Sequence, residues 1–594
     1  ERAAGSFLGS VVVAQEGAVV QVGVHPDRRL FGHLTSLASA RKPGTHQRIL
    51  QNTPTSNDHC WLRGASAKLR AGVQQSKGKG MPLELSQNRG PIDETDRTFA
   101  DVLDDLQGNI LAGHGRLHAA HLFVHFRSSC LHDAKAWIRG FASGRITSAL
   151  AQAQASEAFR ASAADAGGFA HFALSAAGYR ALGVPSAQIP QGTDPRNRGG
   201  STPPPNEAVG EYSNVFGAGM AARQKFLLDP PQASWDPEYR GDDSTIHAMI
   251  LLADDDPAEL VAAERVVRSQ LARFADLVAV ERGMNLKKKF QPEDGEGVSI
   301  EHFGYVDGRS QPLFLLRHVV REDPVGGGSF WDPRAPLSLV LVPDPNGVPD
   351  VSFGSFLVYR KLEQNVKGFK AAEKAVAAQL GLPTELVGAM AVGRYEDGTP
   401  VVLQPSNGTR PIPNDFNYGG DPAGRACPFH AHIRKTNPRL ESARLGGPFA
   451  QSEAEELGHR IARRGIPYGG PQSEGDDLPT RGVGLLFFCY QSDIWEQFEF
   501  MQRFWANNPT FLEPGMGGPG APEFTPTGLD AVIGQRIPGQ ADPIGVPEPF
   551  PPKNWPREWG KPTQNVSLDF AGFVNLRAGE YLFSPCISFL RTLQ

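Results

Sequence analysis

The predicted strands and helices of this sequence fall into two successive sets, and this repetition limits the folds that are open to the chain. In the first set, alternating residues predict a strand over residues 119–126, and an apolar run predicts a buried strand over 246–253. Apolar residues at helical spacing predict helices over 130–143 and 257–277. Strands interleaved with helices in this way indicate the α+β class.

The second set has the same types of element, although no sequence repeat is visible. A helix that follows the second of its strands is predicted to end at Gly381. Another helix is predicted to begin after Ser492, which can cap it, and to continue to Trp505. The segments of this set with the composition of strands are 337–342, 355–362 and 484–489.

The two sets meet near residue 330, which divides the chain. Because 594 residues exceed what one hydrophobic core normally covers, we expect an N-terminal domain over residues 81–330 and a C-terminal domain over 331–594. The first 80 residues carry eleven Lys and Arg against four Asp and Glu and show no sustained period. Residues 1–80 are therefore predicted to be a disordered leader or a non-native extension, with an unrecognised small domain as the alternative.

The composition excludes several classes of function. A net charge of −5 is too small to suggest a nucleic-acid partner, and no apolar run approaches the roughly 20 residues of a membrane helix. Five scattered cysteines favour a reducing compartment, so we expect the cytoplasm rather than secretion without a recognisable signal. We also expect a monomer or small homo-oligomer. The Pro- and Gly-rich residues 514–562 are predicted to be a long surface loop.

Asp307 is the first candidate for chemistry, in the segment Phe303-Gly-Tyr-Val-Asp-Gly308. An Asp beside a glycine commonly marks only a turn. The functional interpretation is an acid–base carboxylate where a strand meets a loop. Gly304 and Gly308 would then let a ligand approach the backbone closely.

Two histidines near a cysteine form the second candidate, in Cys427-Pro-Phe-His430-Ala-His432. Such spacing suits metal ligands. A structural zinc site normally has a second pair of ligands elsewhere in the sequence, and no such pair is found here. Two interpretations therefore stay open, a zinc site and a single His ligand to another metal. The basic residues that follow form either a solvated face or a site for carboxylates or phosphates; they are Arg434, Lys435 and Arg439.

Arg463 belongs to the third candidate. Ser452 and Glu455 form a capping box that predicts the start of a helix, and Gly465 is the predicted end of that helix. Arg463 and Arg464 would then lie in the last helical turn, where arginines often only complement the helix dipole.

Taken in order, these motifs resemble those of the dye-decolorizing peroxidases. Gly304-x-x-Asp307-Gly308 matches the GxxDG signature of that family. Residues 427–439 are similar to its proximal segment, and 463–469 to its distal arginine segment. Residues 105–116 and 484–487 are also similar to family segments, and the order agrees from about residue 98 onward.

The resemblance implies two ferredoxin-like α+β domains, each an antiparallel sheet covered by helices, with haem b in the second. It implies that His432, rather than His430, is the proximal iron ligand, and that Asp307 and Arg463 form the distal pair. The remaining residues that it assigns to the cofactor are Arg434 at a haem propionate, Leu485 and Phe487 in the apolar distal wall, and Gly304 and Gly308.

The activity implied is reduction of hydrogen peroxide with oxidation of bulky aromatic substrates, either dyes or phenols. Asp307 would move a proton between the peroxide oxygens, and Arg463 would stabilise the developing negative charge. Because a narrow pocket cannot admit bulky dyes, surface aromatic residues are candidates to relay electrons, namely Tyr490, Trp495 and Trp505.

Two alternatives to this activity follow from the same residues. One is a haem-binding or haem-iron-handling protein without peroxidase turnover, which needs His432 but not Asp307 or Arg463. The other is a zinc-binding interaction protein that uses Cys427, His430 and His432.

Overall fold

The computed structural model describes residues 83–162, 167–192, 214–241, 245–322, 329–444, 451–471, 477–512, 527–535, 552–563 and 565–594. Residues 1–80, predicted to be a leader, lie outside these ranges. The described residues belong to one compact unit, and their mixture of strands and helices confirms the predicted α+β class.

Four strands with helices between them form the first half of the fold. The strands are β1 (His118–Phe126), β2 (Phe169–Ser175), β3 (Ala248–Asp254) and β4 (Ala275–Met284). They lie in the spatial order β2-β3-β1-β4 with every pair antiparallel, which is the β-α-β-β-α-β pattern of a ferredoxin-like unit. The helices are α1 (Ala100–Asp105), α2 (Leu131–Gly144), α3 (Ala149–Ser162), α4 (Ala176–Ala181), α5 (Val215–Ala218), α6 (Gln224–Leu227) and α7 (Pro257–Leu271).

A short hairpin and one helix connect the two halves. They are β5 (Leu286–Lys288), β6 (Val298–Ile300) and α8 (Leu316–Glu322). The predicted boundary near residue 330 falls within this connection.

The second half repeats the ferredoxin-like order. Its strands are β7 (Val342–Pro343), β8 (Phe353–Gln364), β9 (Ala462–Arg463), β10 (Ile466–Tyr468), β11 (Gly484–Gln491), β12 (Lys553–Trp555), β13 (Val566–Leu568) and β14 (Val574–Ser584). Four of them lie in the order β14-β8-β11-β10. The α-helices are α9 (Val366–Leu380), α10 (Thr384–Val392), α11 (His432–Thr436), α12 (Glu441–Arg444), α13 (Glu453–Gly458) and α14 (Ile587–Thr592), and π-helical segments cover Ile494–Glu499 and Met501–Ala506.

The edges of the two sheets pair with each other. β14 pairs with β2 at Leu582↔Ser175 and Phe583↔Leu174, and β10 pairs with β4 at Tyr468↔Gly283. Eight antiparallel strands, four from each half, therefore form a closed ring. The two ferredoxin-like units predicted from the sequence are confirmed, but their sheets are continuous rather than separate.

Side chains of the ring alternate between its interior and the helices outside. Phe123 of β1, Tyr359 of β8 and Phe488 of β11 meet in the interior, with ring centroids 4.5 Å and 5.1 Å apart. Leu122 and Val124 face the other way, into a second core with α2 and α7. Because both faces of β3 are buried, that strand is apolar from Ala248 to Ala253.

The predicted elements agree with the structure where apolar periodicity is long. The strands predicted at 119–126, 246–253, 355–362 and 484–489 are present within one to two residues. Gly381, with φ of +70°, ends α9 as predicted.

Three predicted boundaries are wrong. Residues 337–342 form a short 3₁₀ turn and only the start of β7, and the helix predicted to reach 277 ends at Leu271, before β4. Asp493, rather than Ser492, accepts the hydrogen bond that caps the next helix, from the backbone N–H of Glu496. The neighbouring polar residue thus takes the capping role.

None of the described helices is both long and apolar enough to cross a membrane alone. Helices α9 and α10 reach that length and composition together, but the chain bends by 113° between them.

We expect His121 to make stability sensitive to acid. Burial lowers the pKa of this ring-interior histidine to about 4, against an ordinary value of 6.5. Below about pH 6.5 the unfolded chain takes up a proton that the folded chain excludes, so the free energy of unfolding decreases as the pH falls towards 4. Between pH 6.5 and 4, the change in the free energy of unfolding per pH unit should be smaller in His121→Phe than in the wild type by roughly 1.4 kcal/mol.

Urea unfolding of the wild type and His121→Phe at several pH values measures this difference. Phe is a suitable replacement because the His121 ring stacks on Phe488 with centroids 4.5 Å apart. Equal slopes in the two proteins would contradict the prediction.

Candidate active site

A cavity of about 210 Å³ lies on the outer face of the second sheet. Leu362 of β8 and Leu485 and Phe487 of β11 give it an apolar wall. His432 reaches it from α11, and Asp307 from the loop that follows β6. The cavity thus brings together residues from all three sequence motifs.

His432 is held by a buried carboxylate. Its Nδ1 lies 2.9 Å from Oδ2 of Asp530, so that nitrogen carries the hydrogen and Nε2 is left as the ring's lone-pair donor. Backbone N–H groups of Val532 and Ile533 donate to the other oxygen of Asp530 at 2.8 and 2.9 Å. Burial favours the neutral acid, but His432 and these N–H groups hold the pKa of Asp530 below its usual value. The pair fixes the ring as metal-binding histidines require.

The position of Asp530 shows that the prediction of a surface loop over residues 514–562 is partly wrong. Within the described residues of that stretch, Asp530, Ala531 and Trp555 are buried. The backbone N–H of Ala531 also donates to the carbonyl of His430, two residues before His432. A Pro- and Gly-rich composition does not distinguish a solvated loop from one that packs against a site.

Asp307 is positioned by its own loop. Its backbone N–H donates to the carbonyl of Ser299, and its Oδ1 accepts from the N–H of Gly308. Glu301 organises the preceding residues, because its carboxylate accepts from the N–H groups of Phe303 and Tyr305 at 2.9 and 3.0 Å. Burial, with a further effect of the Asp307 charge, raises the pKa of Glu301 to about 7.

Arg463 faces Asp307 across the cavity lining, with its Nη1 3.5 Å from Oδ1 of Asp307. Both side chains are about one-third exposed, at 32% and 28%. Arg463 lies in β9, not in a last helical turn, because α13 already ends at Gly458; the prediction that Gly465 ends this helix is wrong. Arg464 turns away and donates to the carbonyls of Asn109 and Ile110.

Three further arginines that line the cavity are almost fully buried: Arg360, which is paired with Asp229, and Arg394 and Arg439, at 4% and 2% exposure. The last two differ from Arg360 in their partners. Arg394 donates to the carbonyls of Gly398 and Pro413, and Arg439 to two carbonyls and to the hydroxyl of Ser310. Within the described ranges, neither has a carboxylate within ion-pair distance. Burial and, to a smaller extent, the neighbouring charge of Arg439 lower the pKa of Arg394 to about 9.

Arg439 also has an unusual backbone. Its φ of +54° lies in the left-handed region, which a non-glycine residue adopts at a cost in free energy. Its guanidinium stacks on Phe416, 3.8 Å from the ring centroid. A strained, buried and uncompensated cation at a cavity wall favours an anionic ligand.

Two residues that the resemblance assigned to the cofactor, Arg434 and Gly304, do not line the cavity. Arg434 does not line the cavity; it is fully buried, with Asp421 and Glu441 as ion-pair partners. Gly304, with φ of +96°, makes the turn before Asp307 and also lies outside the lining. Gly308, Leu485 and Phe487 do line it. The missed residues are Asp530, Arg394 and Arg439, and only Arg439 carried a sequence signal, as part of the basic run.

Arg434→Met should therefore weaken the fold rather than the site. Removing the cation leaves Asp421 and Glu441 buried without their partner, which typically costs about 3–5 kcal/mol. Urea unfolding of the purified protein measures the loss. Unchanged stability with a specific loss of cofactor would restore the original assignment.

The remaining candidates from the sequence, His430 and the three aromatic residues, are buried outside the cavity lining. His430 is fully buried against Trp555, with ring centroids 4.4 Å apart, and does not line the cavity. In the part of the chain that the structure describes, no three His, Cys, Asp or Glu side chains form a group that could hold a metal ion. The residues proposed as surface electron relays are not at the surface; Tyr490, Trp495 and Trp505 are 1%, 6% and 3% exposed.

Comparison with known proteins identifies the family. No family model matches the chain. The multifunctional dye peroxidase DyP2 of Amycolatopsis sp. is 38% identical over 526 residues, which cover 86% of this chain and 100% of that protein. The chain belongs to the dye-decolorizing peroxidases.

Other members agree with this assignment. The dye-decolorizing peroxidase AauDyP1 of Auricularia auricula-judae is 30% identical over 377 residues, covering 60% of this chain and 66% of that protein. The crystal structure of a DyP-type peroxidase of Anabaena sp. matches with a TM-score of 0.71 and 39% identity, covering 85% of this chain and 97% of the other. The predicted family, fold and peroxidase function are confirmed, and dye-decolorizing peroxidases are haem enzymes.

Proposed function

We propose that the cavity holds haem b, with His432 as the iron ligand, and that Asp307 and Arg463 act on hydrogen peroxide. The observation that supports this most strongly is one cavity lined by a carboxylate-oriented histidine, an Asp–Arg pair and two buried arginines without acidic partners. Each component is one that haem peroxidase chemistry uses.

The donor set suits the cofactor. Nε2 of His432 is a neutral imidazole donor, which haem iron accepts, and Asp530 strengthens it as a ligand. Arg394 and Arg439 offer uncompensated cations that two propionates would neutralise with charge-assisted hydrogen bonds. No cysteine occurs in the described lining, which favours non-covalent haem b over a haem attached through thioethers.

When bound, the haem would supply a redox-active iron that provides the two electrons needed to break the O–O bond of peroxide. Asp307 accepts a proton from one peroxide oxygen and returns it to the other as water leaves. Arg463 is permanently charged and stabilises the negative charge that develops as the O–O bond breaks. Leu485 and Phe487 limit the water around these groups.

The reducing substrates that we propose are aromatic dyes and phenols. This proposal is supported by the names of the relatives, which are dye peroxidases. Because the proposed haem would itself occupy this cavity, we propose that bulky aromatics are oxidised at a distance rather than inside it. We also propose that the enzyme is cytoplasmic and is a monomer or small homo-oligomer.

Arg439→Met tests the proposed haem site, with Arg434→Met as the matched control. Both substitutions remove a buried guanidinium from the same segment, but only Arg439 lines the cavity. Arg439→Met should weaken haem binding roughly tenfold, while Arg434→Met lowers stability and leaves the haem content of the folded protein unchanged. Haem titration by Soret absorbance measures both. Equal haem affinity in wild type and Arg439→Met would contradict the propionate site.

A further inference from the structure

Tyr305 lines the cavity but has no part in the peroxide chemistry described above. It lies within the GxxDG segment, two residues before Asp307, and its side chain is buried. The hydroxyl of Tyr305 donates to Oε1 of Glu373 on α9. A phenol at the cofactor cavity is thus hydrogen-bonded to a carboxylate.

A chain of charged groups continues from that carboxylate towards solvent. The other oxygen of Glu373 lies 3.0 Å from Nζ of Lys370, which also lies 2.8 Å from Oε1 of Glu396. Nζ of Lys288 is 3.0 Å from Oε2 of Glu396, and these two side chains are 44% and 37% exposed. Protons can therefore exchange stepwise between the buried pair and the surface.

The neighbouring helix leaves space for the pair. Gly388 stands in the interior of α10, where glycine is unfavourable by roughly 1 kcal/mol relative to alanine. A Cβ at this position would overlap the hydroxyl oxygen of Tyr305 and a carboxylate oxygen of Glu373. Glycine at position 388 is thus the residue that lets the phenol and the carboxylate meet.

Oxidation of a phenol requires a proton acceptor. Burial and the charge of Glu373 raise the pKa of Tyr305 well above its usual value, so the resting side chain is protonated. Losing an electron alone would leave a cation in a buried site, which is costly. Transfer of the proton to Glu373 at the same time removes that cost.

We propose that Tyr305 is a redox-active residue, giving one electron to the cofactor oxidised by peroxide and its phenolic proton to Glu373. This rests on the proposed haem site. The step leaves a neutral tyrosyl radical and a neutral Glu373 carboxylic acid. An electron from an aromatic reducing substrate, with the proton returned by Glu373, restores the phenol. The enzyme can thereby hold one oxidising equivalent on the polypeptide rather than on the cofactor until a reducing substrate supplies an electron.

Rapid-freeze electron paramagnetic resonance tests this on the haem-loaded enzyme, mixed with one equivalent of hydrogen peroxide and no reducing substrate. The wild type should give a tyrosyl signal, which narrows when ring-deuterated tyrosine is incorporated. Tyr305→Phe should lose that signal. Glu373→Gln, which keeps Tyr305 but cannot take its proton, should form it at least tenfold more slowly.

Tyr395→Phe is the control. Tyr395 is also buried, but it does not line the cavity and its hydroxyl has no partner within the described residues. A wild-type tyrosyl signal in Tyr305→Phe, or an unchanged rate in Glu373→Gln, would overturn the proposal.

The spectra also separate this proposal from the proposed function. If the Soret band and peroxide consumption stay normal while the radical is unchanged in both variants, only the role of Tyr305 is wrong. If the wild type itself binds no haem and consumes no peroxide, the proposed function fails first.

Discussion

Replacing His432 with alanine should abolish stable haem binding. His432 is the only histidine in the described lining of the cavity. Its Nδ1 lies 2.9 Å from the buried carboxylate of Asp530, which orients the ring. Mutation of residues that support a metal ligand typically lowers the affinity 10- to 100-fold, and removal of the ligand itself should lower it more. We therefore expect the Kd for haem to rise roughly 100-fold or more. Haem titration and the Soret spectrum measure the change.

Two variants separate the role of His432 from that of its surroundings. Asp530→Asn keeps a hydrogen-bond acceptor but removes the negative charge, and should weaken haem binding by roughly tenfold. His430→Phe fills the space beside Trp555 and should keep the wild-type Soret band. If His432→Ala kept that band and His430→Phe lost it, the assignment of the two histidines would be reversed.

Asp307→Asn and Arg463→Leu should each bind haem normally but react slowly with peroxide. Loss of the proton-transferring carboxylate should lower kcat/KM for peroxide by roughly 10²–10⁴-fold. Loss of the cation should cost roughly 10²–10³-fold. Stopped-flow mixing with peroxide, expressed per bound haem, measures both rates. Because the side chains lie 3.5 Å apart and act on one substrate, the double variant should lose less than the product of the two effects.

Arg464→Leu is the control for the arginine. Arg464 is the next residue, but it donates to backbone carbonyls of Asn109 and Ile110 and lies outside the cavity lining. Its loss should leave the rate per bound haem unchanged. A slow Arg464→Leu beside a normal Arg463→Leu would exchange the two assignments.

The sequence predicted the parts of the site that local patterns encode. Asp307, Arg463 and His432 stand in segments with distinctive neighbours, and all three line one cavity. Asp530 had no such signal, because it reaches His432 from a position 98 residues away through a Pro- and Gly-rich segment. Contacts between residues so distant in the chain depend on packing that no local pattern records.

The error at Arg434 has a geometric cause. His432 and Arg434 are the first and third residues of α11. Residues two apart on a helix point roughly 200° away from each other, so the turn that directs His432 into the cavity directs Arg434 out of it. Arg439, beyond the end of the helix, returns to the cavity through a left-handed backbone. The arginine that the resemblance assigned to a propionate, Arg434, therefore lies outside the cavity lining, whereas Arg439 lies in it.

The sequence predicted the two ferredoxin-like halves, but it did not predict that their sheets pair at both edges. Alternation and apolar runs predicted most of the long strands, but β2 was missed because its small and mixed residues do not alternate. The pairing of β4 with β10 rests on a single residue pair, Gly283 with Tyr468, and such an edge contact leaves no pattern in sequence.

The closed ring has a consequence for how the protein is made. β14 lies between β2 and β8, so both strands wait for a neighbour that is synthesised much later. At ordinary elongation rates of about 5–20 residues per second, β2 leaves the ribosome tens of seconds before β14. During that interval each half has an unpaired strand edge that can pair with another nascent chain. These two edges therefore expose the unfinished chain to aggregation until β14 has been synthesised.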